Sequence, residues 1–140
     1  IVESLVQIHF LNRDIIGKAW LLSANQKHFY FITKKVPYNL STIYESGIIE
    51  AVHKAIPSSR AIVLFGSYRW GTDVEESDMD ILVISSNTPK DYLEEIVNTF
   101  ERELNRKINI NTLPSLDKSS NEFKNAVANG IVLYGYIKIV

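Results

Sequence analysis

Two acidic residues and a Gly-Ser pair have the types and the spacing that phosphate chemistry requires. Asp78 and Asp80 are separated by one residue, and ten residues lie between Ser67 and Asp78. Because alternate residues of a strand project from the same face, the two carboxylates are predicted to lie side by side. Adjacent carboxylates repel each other unless solvent or a cation intervenes, and Mg²⁺ commonly binds one or two carboxylates together with phosphates and waters. The spacing therefore predicts a site for Mg²⁺, or for Mn²⁺, at Asp78 and Asp80.

The pair Gly66-Ser67 is predicted to bind phosphate. It follows an apolar segment and opens a turn or short helix, where backbone N–H groups are free to bind an anion. Gly66 has no Cβ to hinder a phosphate, and the Ser67 hydroxyl adds a donor. Arg69 in the same turn either reaches a triphosphate or stays in solvent. Each pattern alone is more often a plain turn or a solvated strand end, but their order and spacing together predict a nucleoside triphosphate site.

The N-terminal third is predicted to contain a helix, a hairpin and a second helix. Apolar residues at helical spacing predict the first helix within residues 1–16. Two short apolar runs flank a polar stretch, which predicts a hairpin, and Pro37 is expected to end it because proline donates no ladder hydrogen bond. The hairpin strands are residues 20–22 and 28–33, its turn is residues 23–27, and the next helix runs from Ser41 or Thr42 to Pro57.

The rest of the chain alternates between strands and helices. Residues 60–65 are nearly all apolar, which is typical of a central strand buried on both faces. An amphipathic helix is predicted around residues 93–104, where apolar side chains recur at helical spacing. Further strands are predicted at residues 78–85, 107–113 and 131–134, and a further helix at residues 115–129.

The bulk composition is that of a globular protein. The chain has 140 residues, 46% of them hydrophobic and 22% charged, with a net charge of −1, which is ordinary for a folded domain. No apolar run is long enough for a membrane span, no signal peptide is visible, and a cytoplasmic location is expected. Without cysteine, metal ligands are restricted to oxygen and imidazole. The chain does not begin with Met, so residues upstream are an open alternative.

The stretch LFGSYRWGTDVEESDMDILVI, from Leu64 to Ile84, resembles the signature of the DNA polymerase β-like nucleotidyltransferase superfamily. It is most similar to the minimal, MNT-type branch, whose pattern is Gly-Ser, ten residues and Asp-x-Asp. The ending FKNAVANGIVLYG resembles the helix and strand that close such domains. The resemblance covers residues 43–140 and implies an α+β fold with a small mixed sheet flanked by helices. It also implies Mg²⁺ as cofactor, Asp78 and Asp80 as metal ligands and catalytic residues, and Gly66 and Ser67 as phosphate ligands.

The third acidic position of the family is where this chain departs from the pattern. The resemblance implies an acid on the strand after the long helix, but that strand carries Asn109 and Asn111. An Asn carbonyl can ligate Mg²⁺ but brings no negative charge and is no base. A weaker second metal and slow or absent chemistry are therefore expected. Asp117 lies beyond the strand and would need a loop movement to substitute.

Residues 1–42 are predicted to form a separate helix and hairpin appendage before a nucleotidyltransferase domain at residues 43–140. The appendage resembles part of a winged helix, in which Lys or Arg of the wing contacts the phosphate backbone of nucleic acid. Lys27, Lys34 and Lys35 are the residues that would do so. A structural or dimerising role is the alternative, and a homo-oligomer would follow from it.

Three functions stay open. The first is a transferase that moves AMP from ATP to a hydroxyl of a protein or a small molecule. The resemblance implies a HEPN-type protein as one such acceptor, because MNT-type proteins often act as antitoxins that modify or bind this kind of partner. The second is a catalytically weakened module that binds nucleotide or a partner protein. The third is a DNA-binding regulator that acts through the N-terminal hairpin.

Overall fold

The computed structural model describes residues 1–87 and 89–138. Six helices and six strands lie within these residues. In chain order they are α1 Val2–Gln7, β1 Leu11–Ile16, β2 Ala19–Ala24, α2 Phe29–Ser46, α3 Ile48–Ala55, β3 Ser59–Phe65, α4 Ser67–Trp70, β4 Met79–Ser85, α5 Lys90–Leu104, β5 Ile108–Leu113, α6 Asn121–Ala128 and β6 Ile131–Gly135.

A four-stranded mixed sheet with strand order β5-β4-β3-β6 forms the centre of the fold. β3 is antiparallel to both β4 and β6, and β4 is parallel to β5. The register pairs Phe65 with Asp80 and Asp80 with Asn109. The predicted α+β class, a small mixed sheet flanked by helices, is confirmed.

Both faces of this sheet are buried. On one face, side chains of β3 and β4 such as Leu64 and Ile81 pack with α3, α5 and the end of α2. On the other face, Val63 and Leu82 pack with Val127 of α6. Strands covered on both faces are predicted by continuous apolar runs, which is why the predicted strands at residues 60–65 and 78–85 agree closely with β3 and β4.

The N-terminal prediction is wrong in its elements. The helix predicted within residues 1–16 ends at Gln7, and the hairpin is formed by β1 and β2, not by residues 20–22 and 28–33. The two strands are joined by Gly17-Lys18, and Gly17 has φ +60°. A glycine with positive φ at the first central position is what a type II′ hairpin turn requires. Of the apolar residues whose spacing predicts one helix face, Leu5 lies in α1, but Leu11 and Ile15 lie on β1.

The sequence predicts a strand at residues 28–33, a break before Pro37 and the start of a helix at Ser41 or Thr42, but residues 29–46 form one helix. His28 caps α2 by accepting a hydrogen bond from the Tyr30 backbone N–H, and Pro37 lies inside the helix. Gly47, with φ +82°, ends α2 and begins α3. α2 therefore runs across the predicted domain boundary between residues 42 and 43.

The resemblance of residues 1–42 to part of a winged helix is not confirmed, because the residues predicted to form the second hairpin strand lie in α2. Lys34 and Lys35 lie in α2 and not beside a hairpin.

Residues 139 and 140, the end of the predicted domain, lie outside the described residues. Of the described helices, none has both the length and the apolar character that crossing a membrane requires.

Candidate active site

Asp78 and Asp80 are held together by a single amide. Asp78 precedes β4, Asp80 is its second residue, and Asn109 lies opposite Asp80 on the parallel strand β5. Asn109 Nδ2 donates to Asp78 Oδ2 at 2.9 Å and to Asp80 Oδ1 at 3.1 Å. One nitrogen can reach both carboxylates only if they lie on the same side of the sheet. The structure therefore brings these three side chains together.

Gly66 lies directly against Asp80. β3 ends at Phe65, which pairs with Asp80, and the chain then bends at Gly66 with φ +76°. A Cβ at position 66 would overlap Asp80 Oδ2. Glycine is required here both by the left-handed backbone and by the neighbouring carboxylate. The predicted phosphate-binding bend and the predicted metal ligands therefore touch each other.

Ser67 begins the short helix α4, which ends at Gly71 with φ +73°. The backbone N–H of Trp70 donates to Gly66 O at 3.3 Å. The first N–H groups of a helix have no acceptor within the helix, so those of Ser67 and Tyr68 are suited to an anion beside Asp80. Ser67 is half-buried at this point.

Arg69 is held at the side of the site. Its Nε donates to the backbone oxygen of Asn129 at 2.7 Å, and its guanidinium lies 4.0 Å from the centre of the Trp70 ring. The sequence predicts that Arg69 either reaches a triphosphate or stays in solvent, and neither prediction includes this contact with the end of α6. This hydrogen bond uses only Nε, so the other N–H groups of the Arg69 guanidinium stay available to a phosphate.

The two asparagines of β5 are not equivalent. Asn109 faces the carboxylates, whereas Asn111 is exposed and lies opposite Leu82. Asn109 therefore occupies the position at which the resemblance implies a third acid. Sequence reasoning did not single out Lys107, whose Nζ lies 3.8 Å from Asp78 Oδ2. Its place directly before β5, level with the start of β4, was the available signal.

A cavity of about 570 Å³ opens beside Asp80 and Asn109. Phe65 and Phe123 form part of its wall and meet edge to face, with their ring centres 5.6 Å apart. Its other lining residues are Leu93, Glu94, Val97, Ile108, Ile110 and Asn111. An apolar and aromatic wall with a few convergent polar groups is typical of small-molecule sites.

Residues 48–137 match the family model described as polymerase beta nucleotidyltransferase. The chain belongs to this family. The matched segment contains the Gly-Ser bend, both aspartates, Asn109 and the strands that carry them. The prediction of a minimal nucleotidyltransferase domain is confirmed.

Relatives of this nucleotidyltransferase agree with that assignment. A Methanocaldococcus jannaschii protein with the provisional name of a protein adenylyltransferase is 63% identical over 30 residues, which span 21% of this chain and 20% of that relative. A toxin–antitoxin structure with AMP-PNP is 28% identical, with a TM-score of 0.53 over 66% of this chain and 73% of that chain. A mutant of the toxin–antitoxin pair MntA–HpeT, with two aspartates changed to glutamate, is 26% identical at a TM-score of 0.54 and the same coverages.

The residues of this nucleotidyltransferase fit a hard divalent cation, but with a reduced set of acids. Among the residues that the structure describes, no three His, Cys, Asp or Glu side chains cluster as a metal site. The oxygen donors available to a cation here are the carboxylates of Asp78 and Asp80, with the Asn109 amide beside them. The two ends of an amide are distinguished only by their hydrogen bonds. Nδ2 faces two negative carboxylates here, and a rotated amide would offer Oδ1 to a cation bound between them.

Proposed function

We propose that this protein transfers AMP from ATP to a hydroxyl group of a partner protein in an Mg²⁺-dependent reaction. The contact between the Gly66 bend and Asp80, with Asp78 on the same side, is the observation that carries the proposal. It combines a cradle for phosphate with a ligand set for a cation in one place. Family membership supports nucleotidyl transfer as the reaction class.

In this proposal the chain's own residues bind and orient the triphosphate. Asp78 and Asp80 would hold the cation, and the N–H groups at Ser67 would hold phosphate oxygens. When bound, the metal neutralises charge on the triphosphate as the displacement occurs. The acceptor oxygen would bond to the α-phosphorus while the bond from that phosphorus to the pyrophosphate oxygen breaks, and pyrophosphate would leave. The hydroxyl proton would pass to solvent or to a carboxylate of the site, and not to Asn109, whose amide is no base.

ATP as donor and a protein as acceptor rest on the relatives. One similar structure contains AMP-PNP, and the archaeal relative is named for transfer of adenylate to protein. The toxin–antitoxin neighbours support a toxin as partner, and the MNT-type resemblance makes that partner a HEPN-type protein. The acceptor hydroxyl would approach through the cavity beside Asn109.

A nucleotide- or partner-binding module without turnover is the second candidate. The observation that favours it is Asn109, because a neutral amide bridges both carboxylates where the resemblance implies an acid. A protein of this kind would be stabilised by Mg²⁺ and ATP without releasing pyrophosphate.

Labelling with ATP that carries ³²P at the α-phosphate tests the first proposal. The protein is incubated with Mg²⁺ and a HEPN-type partner, and the label on the partner is measured. Because a bound metal contributes several kcal/mol to the transition state, we expect Asp80→Asn to reduce labelling by about 100-fold or more. Glu76→Gln, an exposed acid of the same loop, is the matched control. Equal labelling by wild type and Asp80→Asn would reject the metal assignment, and nucleotide binding without labelling would favour the second candidate.

A further inference from the structure

A buried carboxylate lies in the loop between the Gly-Ser bend and the two aspartates. The side chain of Asp73 is 1% exposed. Its oxygens accept from Lys35 Nζ at 3.1 Å and Asn39 Nδ2 at 2.8 Å, and Arg106 Nη2 lies 3.4 Å away. A buried charge is tolerated only when it is paired and hydrogen-bonded. Two of these partners, Lys35 and Asn39, belong to α2, which lies before the family-matched residues 48–137.

Asn39 connects both ends of the turn that follows the phosphate-binding bend. It is 1% exposed, and its Nδ2 donates to Asp73 Oδ1 and, at 2.9 Å, to the backbone oxygen of Tyr68. Its Oδ1 lies 3.3 Å from Lys35 Nζ, which donates to it. Tyr68 directly follows Ser67, so this one amide fixes the distance between α4 and Asp73.

Lys35 also packs against the glycine that ends α4. A Cβ at Gly71, which has φ +73°, would lie 3.1 Å from Lys35 Cγ and 3.3 Å from Val36 Cγ2. Both distances are too short for an ordinary contact. Gly71 is therefore needed for α2 to approach the turn this closely, and the two segments are fitted to each other.

Arg106 holds the same loop from the other side. Its Nη1 donates to Val74 O at 2.8 Å and to Ser77 O at 2.9 Å, the latter directly before Asp78. The guanidinium lies 5.0 Å from the centre of the Tyr68 ring. Burial raises the pKa of the Tyr68 hydroxyl, so this hydroxyl stays neutral beside the Arg106 guanidinium. Contacts from α2 on one side and from Arg106 on the other therefore hold the loop in place.

We propose that Lys35 and Asn39 are positioning residues that hold the loop from Gly71 to Ser77, and with it the spacing between the Gly-Ser bend and the two aspartates. Neither residue touches the Gly66–Asp80 contact, so each acts through Asp73 or Tyr68. The role of Lys35 and Asn39 in AMP transfer rests on the proposed function, whereas their role in holding the loop does not. On this view α2 belongs to the catalytic unit although it precedes the matched segment.

Hydrogen exchange of the loop amides, measured without nucleotide, tests whether Lys35 and Asn39 hold the loop. The Thr72 N–H donates to Ser67 O at 3.1 Å and the Ser77 N–H to Val74 O at 3.0 Å. We expect Lys35→Met and Asn39→Leu to accelerate exchange at both amides by about tenfold or more, because local opening costs less when tertiary contacts are lost. Exchange at the core amides of Leu82 and Val83 should change far less. Unchanged loop exchange in both variants would overturn the proposal.

The same variants separate positioning from general stability in the labelling assay. We expect kcat to fall by about 10- to 100-fold, as displacements of about 1 Å can cause, while KM for ATP changes less. Lys34→Met, an exposed lysine of the same helix, is the matched control, and Lys35→Arg should restore much of the rate. Equal losses in Lys34→Met and Lys35→Met would contradict a positioning role. Faster loop exchange in a protein with no transferase activity would refute the proposed function alone.

Discussion

The strand pairs β1–β2 and β3–β4 are both antiparallel but differ in what surrounds them. All six residues of β2 are exposed, including Trp20 at 57% and Leu21 at 55%. In β4, six of seven residues are buried, and the exception is Asp80. A slip of β4 by one residue would turn Asp80 to the opposite, apolar face of the sheet and misplace every packed side chain of the strand. The candidate site lies on the pair whose register the core determines.

The hairpin depends on different interactions. Arg13 forms an ion pair with Glu3 at 2.7 Å and lies 4.8 Å from the centre of the Trp20 ring. Exposed ion pairs and cross-strand contacts of this kind contribute less than about 1 kcal/mol each. The two strand pairs should therefore also differ in how much they contribute to the free energy of unfolding.

The largest expected effect on stability is the truncation of a core strand residue. Leu82 is fully buried in β4, and Leu82→Ala should lower the free energy of unfolding by about 2–5 kcal/mol, because it leaves a cavity. Trp20→Ala, in the exposed pair, is the matched variant and should cost less than about 1 kcal/mol. Urea titration followed by circular dichroism measures both. Similar losses in the two variants would show that the hairpin is covered in solution.

The second comparison uses two glycines that share a left-handed backbone. Gly17 has φ +60° with nothing within 4 Å of an added Cβ, whereas a Cβ at Gly66 would overlap Asp80. Gly17→Ala should therefore cost only the backbone strain of about 1–2 kcal/mol. Gly66→Ala should in addition displace Asp80 and reduce labelling of the partner by about 100-fold.

Parallel labelling and melting measurements distinguish the two glycine effects. Gly17→Ala should lower the melting temperature and leave the rate per folded molecule unchanged. If Gly66→Ala behaved in the same way, the contact between the bend and Asp80 would have no part in the reaction.

The central sheet, and the proximity of the Gly-Ser bend to the two aspartates, could be predicted from the sequence because both depend on local patterns. Apolar runs predicted β3 and β4, and the spacing of Gly66 and Asp80 was sufficient to expect a shared site. The choice between Asn109 and Asn111 depended on the register of β5 against β4, which no local pattern specifies.

The N-terminal region was predicted poorly for physical reasons that can be named. Its apolar residues at helical spacing include Leu11 and Ile15, which lie on an exposed strand, and Gly17 alone marks the turn between the two hairpin strands. The contact between Lys35 and Asp73 joins residues 38 positions apart. A charge pair over that separation leaves no periodic trace in the sequence, so the part that α2 plays could not be predicted.

The smallest expected change in labelling concerns the amide at the centre of the site. Asn109→Asp removes a donor that bridges two carboxylates and places a third negative charge about 3 Å from both. Without metal, the lost hydrogen bonds and the repulsion should lower the free energy of unfolding by about 1–3 kcal/mol. With Mg²⁺ the additional carboxylate becomes a ligand, so the metal should raise the melting temperature more than in wild type. If the missing acid limits the reaction, labelling should rise by about tenfold, as a positioned base can provide.

Asn111→Asp is the matched control for this substitution. It adds the same charge two residues along β5, at an exposed position opposite Leu82, where it meets neither aspartate. Melting in EDTA and in Mg²⁺ should therefore differ between the two variants, with the metal-dependent gain confined to Asn109→Asp. An equal response at both positions would mean that charge along β5, and not a ligand beside Asp78 and Asp80, determines how the sheet binds the cation.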